Sequence, residues 1–114
     1  MKRISYCGES FLTTDGAADA LLMLVVALPQ GYNSEMLEVP AVGDDGNTMI
    51  VQLVVGPTSE LISIPEETRS GEPDTAEVVA YLRDRLDALA APREYAYSAA
   101  LASAEYDWDD AYLL

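Results

Sequence analysis

Apolar and polar residues alternate at the start of the chain, which predicts a small β-hairpin. Residues 3–6 alternate with a period of two, and residues 11–13 form a short apolar run that can return along them. Between them, residues 7–10 have the composition of a turn. We therefore expect two short antiparallel strands before the first helix.

Three further alternating stretches, residues 35–42, 48–55 and 59–64, predict an antiparallel meander. Pro40 removes a backbone donor, so it favours an edge position for its strand. The strand at 48–55 is half apolar even on its outer side, and we expect it to be central. The loop 43–47 contains two adjacent aspartates, which we interpret as a turn and not as a metal site, because neighbouring side chains there point apart.

A first helix is predicted over about residues 15–28, between a cap at Thr14 or Asp15 and a stop at Pro29. Its second half, residues 21–28, has no polar face. This helix must therefore be covered on more than one side. Either the sheet covers one face and a second helix the other, or one face is a subunit interface.

A second, amphipathic helix is predicted after the polar stretch 66–74, which we interpret as a mobile loop. Asp74 or Thr75 can cap this helix, and Pro92 is expected to end it. Apolar residues recur at helical spacing on one face, at Val78, Val79, Leu82, Leu86 and Leu89. The helix is thus expected to dock through that face.

These elements predict an α+β fold. A small antiparallel sheet, made of the N-terminal hairpin and the three-strand meander, packs on one apolar helix and is joined by an amphipathic one. Residues 1–92 are expected to form a single domain, and residues 93–114 an acidic, aromatic C-terminal segment. That segment either continues as a third helix over about 93–105 or stays disordered until bound.

The composition excludes or disfavours several classes of function. Twenty acidic residues against six basic ones give a formal net charge of −14 over 114 residues. Such a chain is disfavoured as a direct ligand of nucleic acid or of an anionic membrane, and a basic protein surface is the better electrostatic match. Because the sequence has no histidine, catalysis by a Ser-His-Asp or Cys-His set is excluded. We expect no enzymatic activity and no cofactor.

Cysteine content and the apolar runs indicate a cytoplasmic protein. The single cysteine, Cys7, cannot form an internal disulfide, and a lone cysteine beside a strand is usually core filler. No secretion signal is visible. The apolar run 20–28 is also far shorter than the roughly 20 residues that span a membrane.

Several short motifs in the first half resemble one protein family. They are residues 2–6, 8–15, 18–21 and 56–59. These motifs are similar to those of a group of small acidic actinobacterial or phage-borne proteins of unassigned function, and the likeness covers residues 2–64. It implies a cytosolic bacterial or phage-borne protein, and it brings no catalytic residue, cofactor or substrate.

The C-terminal segment carries the candidate binding residues. Residues 94–114 hold five carboxylates, four tyrosines and the only tryptophan, a composition typical of recognition. The predicted partner-binding residues are Tyr95, Tyr97, Tyr106, Asp107, Trp108, Asp109, Asp110 and Tyr112. The alternative is that these rings complete the protein's own core or that of a neighbouring subunit.

We therefore expect a non-enzymatic protein–protein interaction module that engages a basic partner or self-associates. A first alternative is an inhibitor that mimics nucleic acid, because carboxylates can stand in for phosphates. A second is a structural subunit of a phage or bacterial assembly, in which the apolar helix and the aromatic segment are subunit contacts.

Overall fold

The residues that the structure describes form five strands and two helices. The computed structural model describes the backbone of residues 1–103 and the side chains of residues 1–90. The elements are β1 (Lys2–Tyr6), β2 (Glu9–Thr13), α1 (Asp15–Ala27), β3 (Glu35–Val42), β4 (Thr48–Val55), β5 (Ile62–Pro65) and α2 (Ala76–Ser103). All strand pairs are antiparallel. The predicted α+β class is confirmed.

The N-terminal hairpin turns at Cys7 and Gly8, which both have positive φ angles of 54° and 83°. Two consecutive residues with positive φ match the right-handed twist of the flanking strands, so the hairpin can close over two residues. Cys7 is exposed in this turn. The expectation that Cys7 fills the core is therefore wrong, because the residue lies in the connection and not in a strand.

The order of strands in the sheet is β4-β3-β2-β1-β5, which corrects the predicted meander. β5 pairs with β1, not with β4. The strand at Thr48–Val55, expected to be central, is consequently an edge strand, and β3 is interior. Alternation along a strand reports which residues face the core, but it carries no information about which strand lies alongside.

Pro40 is accommodated in interior β3 because the β2 side of that strand is almost unpaired. β3 pairs with β4 along its whole length, but with β2 only at Leu12 and Val42. The Pro40 carbonyl accepts a hydrogen bond from Thr13 Oγ1 at 2.8 Å, so Pro40 faces β2. In an antiparallel ladder the N–H and C=O of one residue point to the same neighbour. The missing proline donor therefore costs no β3–β4 bond.

Helix α1 packs between the sheet and α2. Thr14 is its N-cap, and Thr14 Oγ1 accepts a hydrogen bond from the Ala17 N–H at 3.2 Å. Buried side chains of α1 join those of the sheet and α2 in one core, whose largest fully buried members include Ile4, Leu21, Leu24, Leu82, Val39 and Val55. Of the two predicted ways to cover α1, the structure shows a sheet on one side and a helix on the other.

Helix α2 begins as predicted but does not end as predicted. The Asp74 carboxylate accepts a hydrogen bond from the Ala76 N–H at 3.1 Å, at the first residue of the helix. The helix then runs to Ser103, so the expected stop at Pro92 is wrong. A proline lacks one backbone donor and strains the preceding turn, but helical backbone on both sides can absorb that cost.

Candidate functional site

The predicted C-terminal site lies largely outside the described residues. Tyr95 and Tyr97 fall within the helical backbone of α2, and their side chains are not among those described. The other predicted positions, Tyr106, Asp107, Trp108, Asp109, Asp110 and Tyr112, lie beyond residue 103. This set of partner-binding residues therefore stays a prediction.

The loop 43–47 is a turn that uses one of its own carboxylates. Asp45 accepts a hydrogen bond from the Asn47 backbone N–H at 3.0 Å and another from Asn47 Nδ2 at 3.1 Å. These hydrogen bonds hold the pKa of Asp45 below its usual value. In the described part of the chain, no three potential metal-ligating side chains form a group. Of the two adjacent aspartates, Asp45 therefore contributes to the turn geometry.

A groove runs between α1 and α2. It has a volume of about 530 Å³. Gly16, Asp19, Ala20, Met23 and Ala27 of α1 line it together with Arg83, Leu86, Asp87, Leu89 and Ala90 of α2. Because many of these side chains are small, the two helices leave room along their contact for an additional apolar side chain or helix face.

One end of this groove opens onto an uncovered apolar patch, formed by Leu22, Met23, Val26, Ala27 and Leu86. Val26 is 86% exposed and Met23 is 60% exposed. Uncovered apolar patches on soluble domains mark interaction surfaces more often than isolated exposed residues do. We call the groove and this patch together the α1–α2 surface.

The α1–α2 surface arises from a change along the solvent-facing stripe of α1. The stripe begins with Asp15 and Asp19, as expected for a surface helix, and continues at helical spacing with Met23 and Val26. The opposite faces of α1 are already buried against the sheet and α2. Since α1 has apolar residues at every position in its second half, two covered faces still leave a third apolar face in solvent.

Charged groups lie around this apolar surface. Asp19 Oδ1 accepts a hydrogen bond from Lys2 Nζ at 2.6 Å, which raises the pKa of Lys2. Asp87 and Arg83 lie on the α2 side. The local charges are therefore mixed, while the whole chain carries −14.

A second apolar surface lies on the β3–β4 hairpin, where Met36, Pro40 and Ile50 line a groove together with Glu77, Val78 and Tyr81 of α2. Met36 pairs with Val54, and Pro40 pairs with Ile50. Met36, Val54 and Ile50 are all exposed, whereas the alternating β3 residues Leu37 and Val39 are buried in the core. The apolar outer face of β4 is visible in the sequence, but the central position predicted from it is wrong, because β4 is an edge strand.

The sequence contained a usable indication of the α1–α2 surface, namely the absence of a polar residue after Asp19 in α1. It did not indicate which α1 residues stay exposed, because that depends on where α2 crosses. No helix among residues 1–103 is both long and apolar enough to cross a membrane.

Comparisons with known proteins found no matching family model, no matching curated protein and no matching solved structure.

Proposed function

We propose that this protein is a non-enzymatic interaction module that binds an apolar, basic segment of a partner protein on its α1–α2 surface. The observation that carries the proposal is the exposure of the apolar residues Met23 and Val26 on a helix whose other two faces are packed in the core. The occupant that fits best is an amphipathic helix, because helix-in-groove recognition uses apolar anchors along one face.

Apolar contact supplies the affinity in this proposal. Covering a large apolar side chain contributes about 1.5–3 kcal/mol when burial is complete. Met23 and Val26 together therefore contribute at most about 3–6 kcal/mol. Association costs about 4 kcal/mol or more, so Leu22, Ala27 and Leu86 of the same surface must add contact area for a stable complex. Each 1.4 kcal/mol, roughly, changes the dissociation constant tenfold.

Charge selects the partner. A field from −14 charges attracts basic segments and repels acidic ones, and it raises the association rate more than it raises affinity. Complex formation is therefore expected to weaken as salt concentration increases. The aromatic residues after position 93 can add contacts to the same partner, which agrees with the composition of that segment.

We infer a cytoplasmic location for this activity. Cys7 is an exposed thiol, and as the only cysteine it cannot be protected in an internal disulfide. A reducing compartment keeps such a thiol free.

A defined probe tests the proposal. The probe is a fluorescently labelled synthetic helix of about five turns, with leucine on one face and lysine on the other. Binding is measured by fluorescence anisotropy for the wild type, Met23→Glu and Ile62→Glu. Met23 and Ile62 are each 60% exposed, and both substitutions add one negative charge, but only Met23 lies on the α1–α2 surface.

Docking on the α1–α2 surface predicts weaker binding by about tenfold or more for Met23→Glu and little change for Ile62→Glu. Purely electrostatic association predicts that both variants bind the lysine-rich probe equally or slightly more tightly. That second outcome, or the absence of probe binding to the wild type at low salt, would contradict the proposal.

A further inference from the structure

Among the described residues, the edge of β4 is another surface without a partner. Within the part of the chain that the structure describes, β4 has a hydrogen-bonded neighbour only on its β3 side. Natural sheets normally protect such an edge with charged residues, proline, a bulge or a short strand. β4 is eight residues long, Thr48–Val55, and contains no charged residue and no proline.

The opposite edge of the sheet is protected in these ordinary ways. β5 has four residues and ends at Pro65, which cannot donate a backbone hydrogen bond. The Arg3 side chain, from the adjacent β1, is also engaged near this edge, with two hydrogen bonds to Glu66 at 2.7 and 2.8 Å. The contrast indicates that the two edges differ in what they can bind.

The pairing of β3 with β4 decides which backbone groups are free. The Gly43 N–H donates a hydrogen bond to the Asn47 carbonyl, and this bond fixes which residues of the ladder are hydrogen-bonded pairs. The backbone N–H and C=O groups of Met49, Val51 and Leu53 therefore point to β3. The N–H and C=O groups of Thr48, Ile50, Gln52 and Val54 therefore point to the open side. At one end of that row, the Tyr6 hydroxyl donates to the Val54 carbonyl at 2.6 Å.

We infer that β4 pairs with β4 of a second copy of this chain, as an antiparallel, twofold-symmetric dimer. Pairing centred on Ile50 uses the groups that Tyr6 leaves free. It places Ile50 opposite Ile50 of the partner subunit, and Thr48 opposite the partner's Gln52. On the other face of the sheet, Met49 lies opposite the partner's Val51.

Charge is the reason to choose a second copy as the occupant. Two chains of −14 repel each other, yet each of these cross-strand pairs is uncharged. β4 itself has no carboxylate to pair with a basic residue, and the Glu38 carboxylate beside it already accepts a hydrogen bond from Gln52 Nε2 at 2.9 Å. A twofold contact uses the same edge of both chains, so the assembly is complete at two subunits. Pairing of β4 in one chain with β5 in the next would instead build an open-ended filament. This dimer is independent of the proposed function, since it uses another surface.

Salt separates the two interactions. Repulsion between the two acidic chains falls as salt increases, so the dimer is expected to strengthen between about 20 mM and 500 mM salt. Binding of a basic probe on the α1–α2 surface is expected to weaken over the same range. Failure of one proposal is thus distinguishable from failure of the other.

The test is sedimentation equilibrium of the full chain at about 500 mM salt, over roughly 10 µM to 1 mM protein. The wild type is expected to approach twice the 12.3 kDa of one chain. Ile50→Pro removes an N–H that makes no bond to β3, so the fold should persist while the dissociation constant rises at least about tenfold.

Ile50→Glu is the second variant, because it sets two carboxylates opposite each other across the dimer axis. Its matched control is Met36→Glu, which adds the same charge on the same face of interior β3. Ile50 is 55% exposed and Met36 is 61% exposed. Dimerisation lost in Ile50→Glu and kept in Met36→Glu supports the inference. A wild type that stays monomeric, assemblies larger than two, or equal loss in both Glu variants would overturn it.

Discussion

Arg85 of α2 is hydrogen-bonded to Glu35 at the first residue of β3, with Nη2 and Nε lying 2.6 and 3.1 Å from the same carboxylate oxygen. Both side chains are largely buried. The bonds to Glu35 raise the pKa of Arg85, although burial opposes the shift. Tyr32 also contacts Arg85 through its hydroxyl. This pair ties the helix that forms one wall of the α1–α2 surface to the sheet.

Substitution Glu35→Gln is expected to destabilise the fold by about 1–3 kcal/mol, because it leaves the partly buried Arg85 guanidinium without its counter-charge. The measurement is the free energy of unfolding in urea. The control is Glu38→Gln, which removes the same charge from an exposed position of β3. Equal effects of the two substitutions would show that overall charge, and not the Arg85 contact, determines the result.

The hydroxyls of Thr14 and Thr75 lie 2.7 Å apart and are buried, and they join the start of α1 to the residue before α2. Thr14→Ala should cost about 1–2 kcal/mol, since it also removes the helix cap to Ala17. Thr75→Val should cost less, because the cap remains. In a double-mutant cycle, the double variant should lose less unfolding free energy than the sum of the losses in the two single variants. Strict additivity would contradict the contact.

The ion pair between Arg3 and Glu66 predicts a dependence on pH. The hydrogen bonds from Arg3 hold the pKa of Glu66 below its ordinary value of 4.5. The folded state thus binds fewer protons at Glu66 than the unfolded state does. The stabilisation from this pair is complete above pH 4.5 and is lost as the pH falls through the lowered pKa.

Urea midpoints of the wild type and Glu66→Gln should accordingly differ at neutral pH and converge in strong acid. Glu67→Gln is the matched control, because it removes a neighbouring exposed carboxylate and relieves the same overall charge. A difference between wild type and Glu66→Gln that persists unchanged to the lowest pH would contradict the assignment of the shift to Arg3.

Salt should stabilise the folded monomer. A net charge of −14 destabilises the compact state by self-repulsion, and added salt screens that repulsion. The thermal midpoint, measured at low micromolar protein to keep the chain monomeric, should rise between about 20 mM and 500 mM sodium chloride. A falling midpoint would mean that the ion pairs outweigh the repulsion.

Local features of the fold were predictable from the sequence because short-range chemistry determines them. Thr14 caps α1 and Asp74 contacts the first N–H of α2, as their residue types and positions indicate. Strand alternation also identified the N-terminal hairpin and both strands of the β3–β4 pair. The partners in the caps and in the N-terminal hairpin lie close along the chain, and those of the β3–β4 pair lie at most 20 residues apart, at Glu35 and Val55.

The strand order was not predictable, since it depends on partners far apart in sequence. The edge position predicted from Pro40 is wrong, because β3 lies between β4 and β2 and the sparsely paired side of β3 faces β2. The alternation of apolar and polar residues in β5 and β1 does not indicate that these two strands pair. Part of the candidate site was predictable, because α1 has no polar face in its second half. The exposure of Met23 and Val26 was not, because it depends on where α2 packs on α1.

The proposed function is tested most directly by titrating the ¹⁵N-labelled protein with the leucine–lysine helix and following amide chemical shifts. Docking on the α1–α2 surface predicts that the largest shift changes fall within residues 19–27 and 83–90, and that they are lost in Met23→Glu but kept in Ile62→Glu. Changes confined to the β3–β4 hairpin or to residues 95–112, or spread evenly over the acidic surface, would contradict the account.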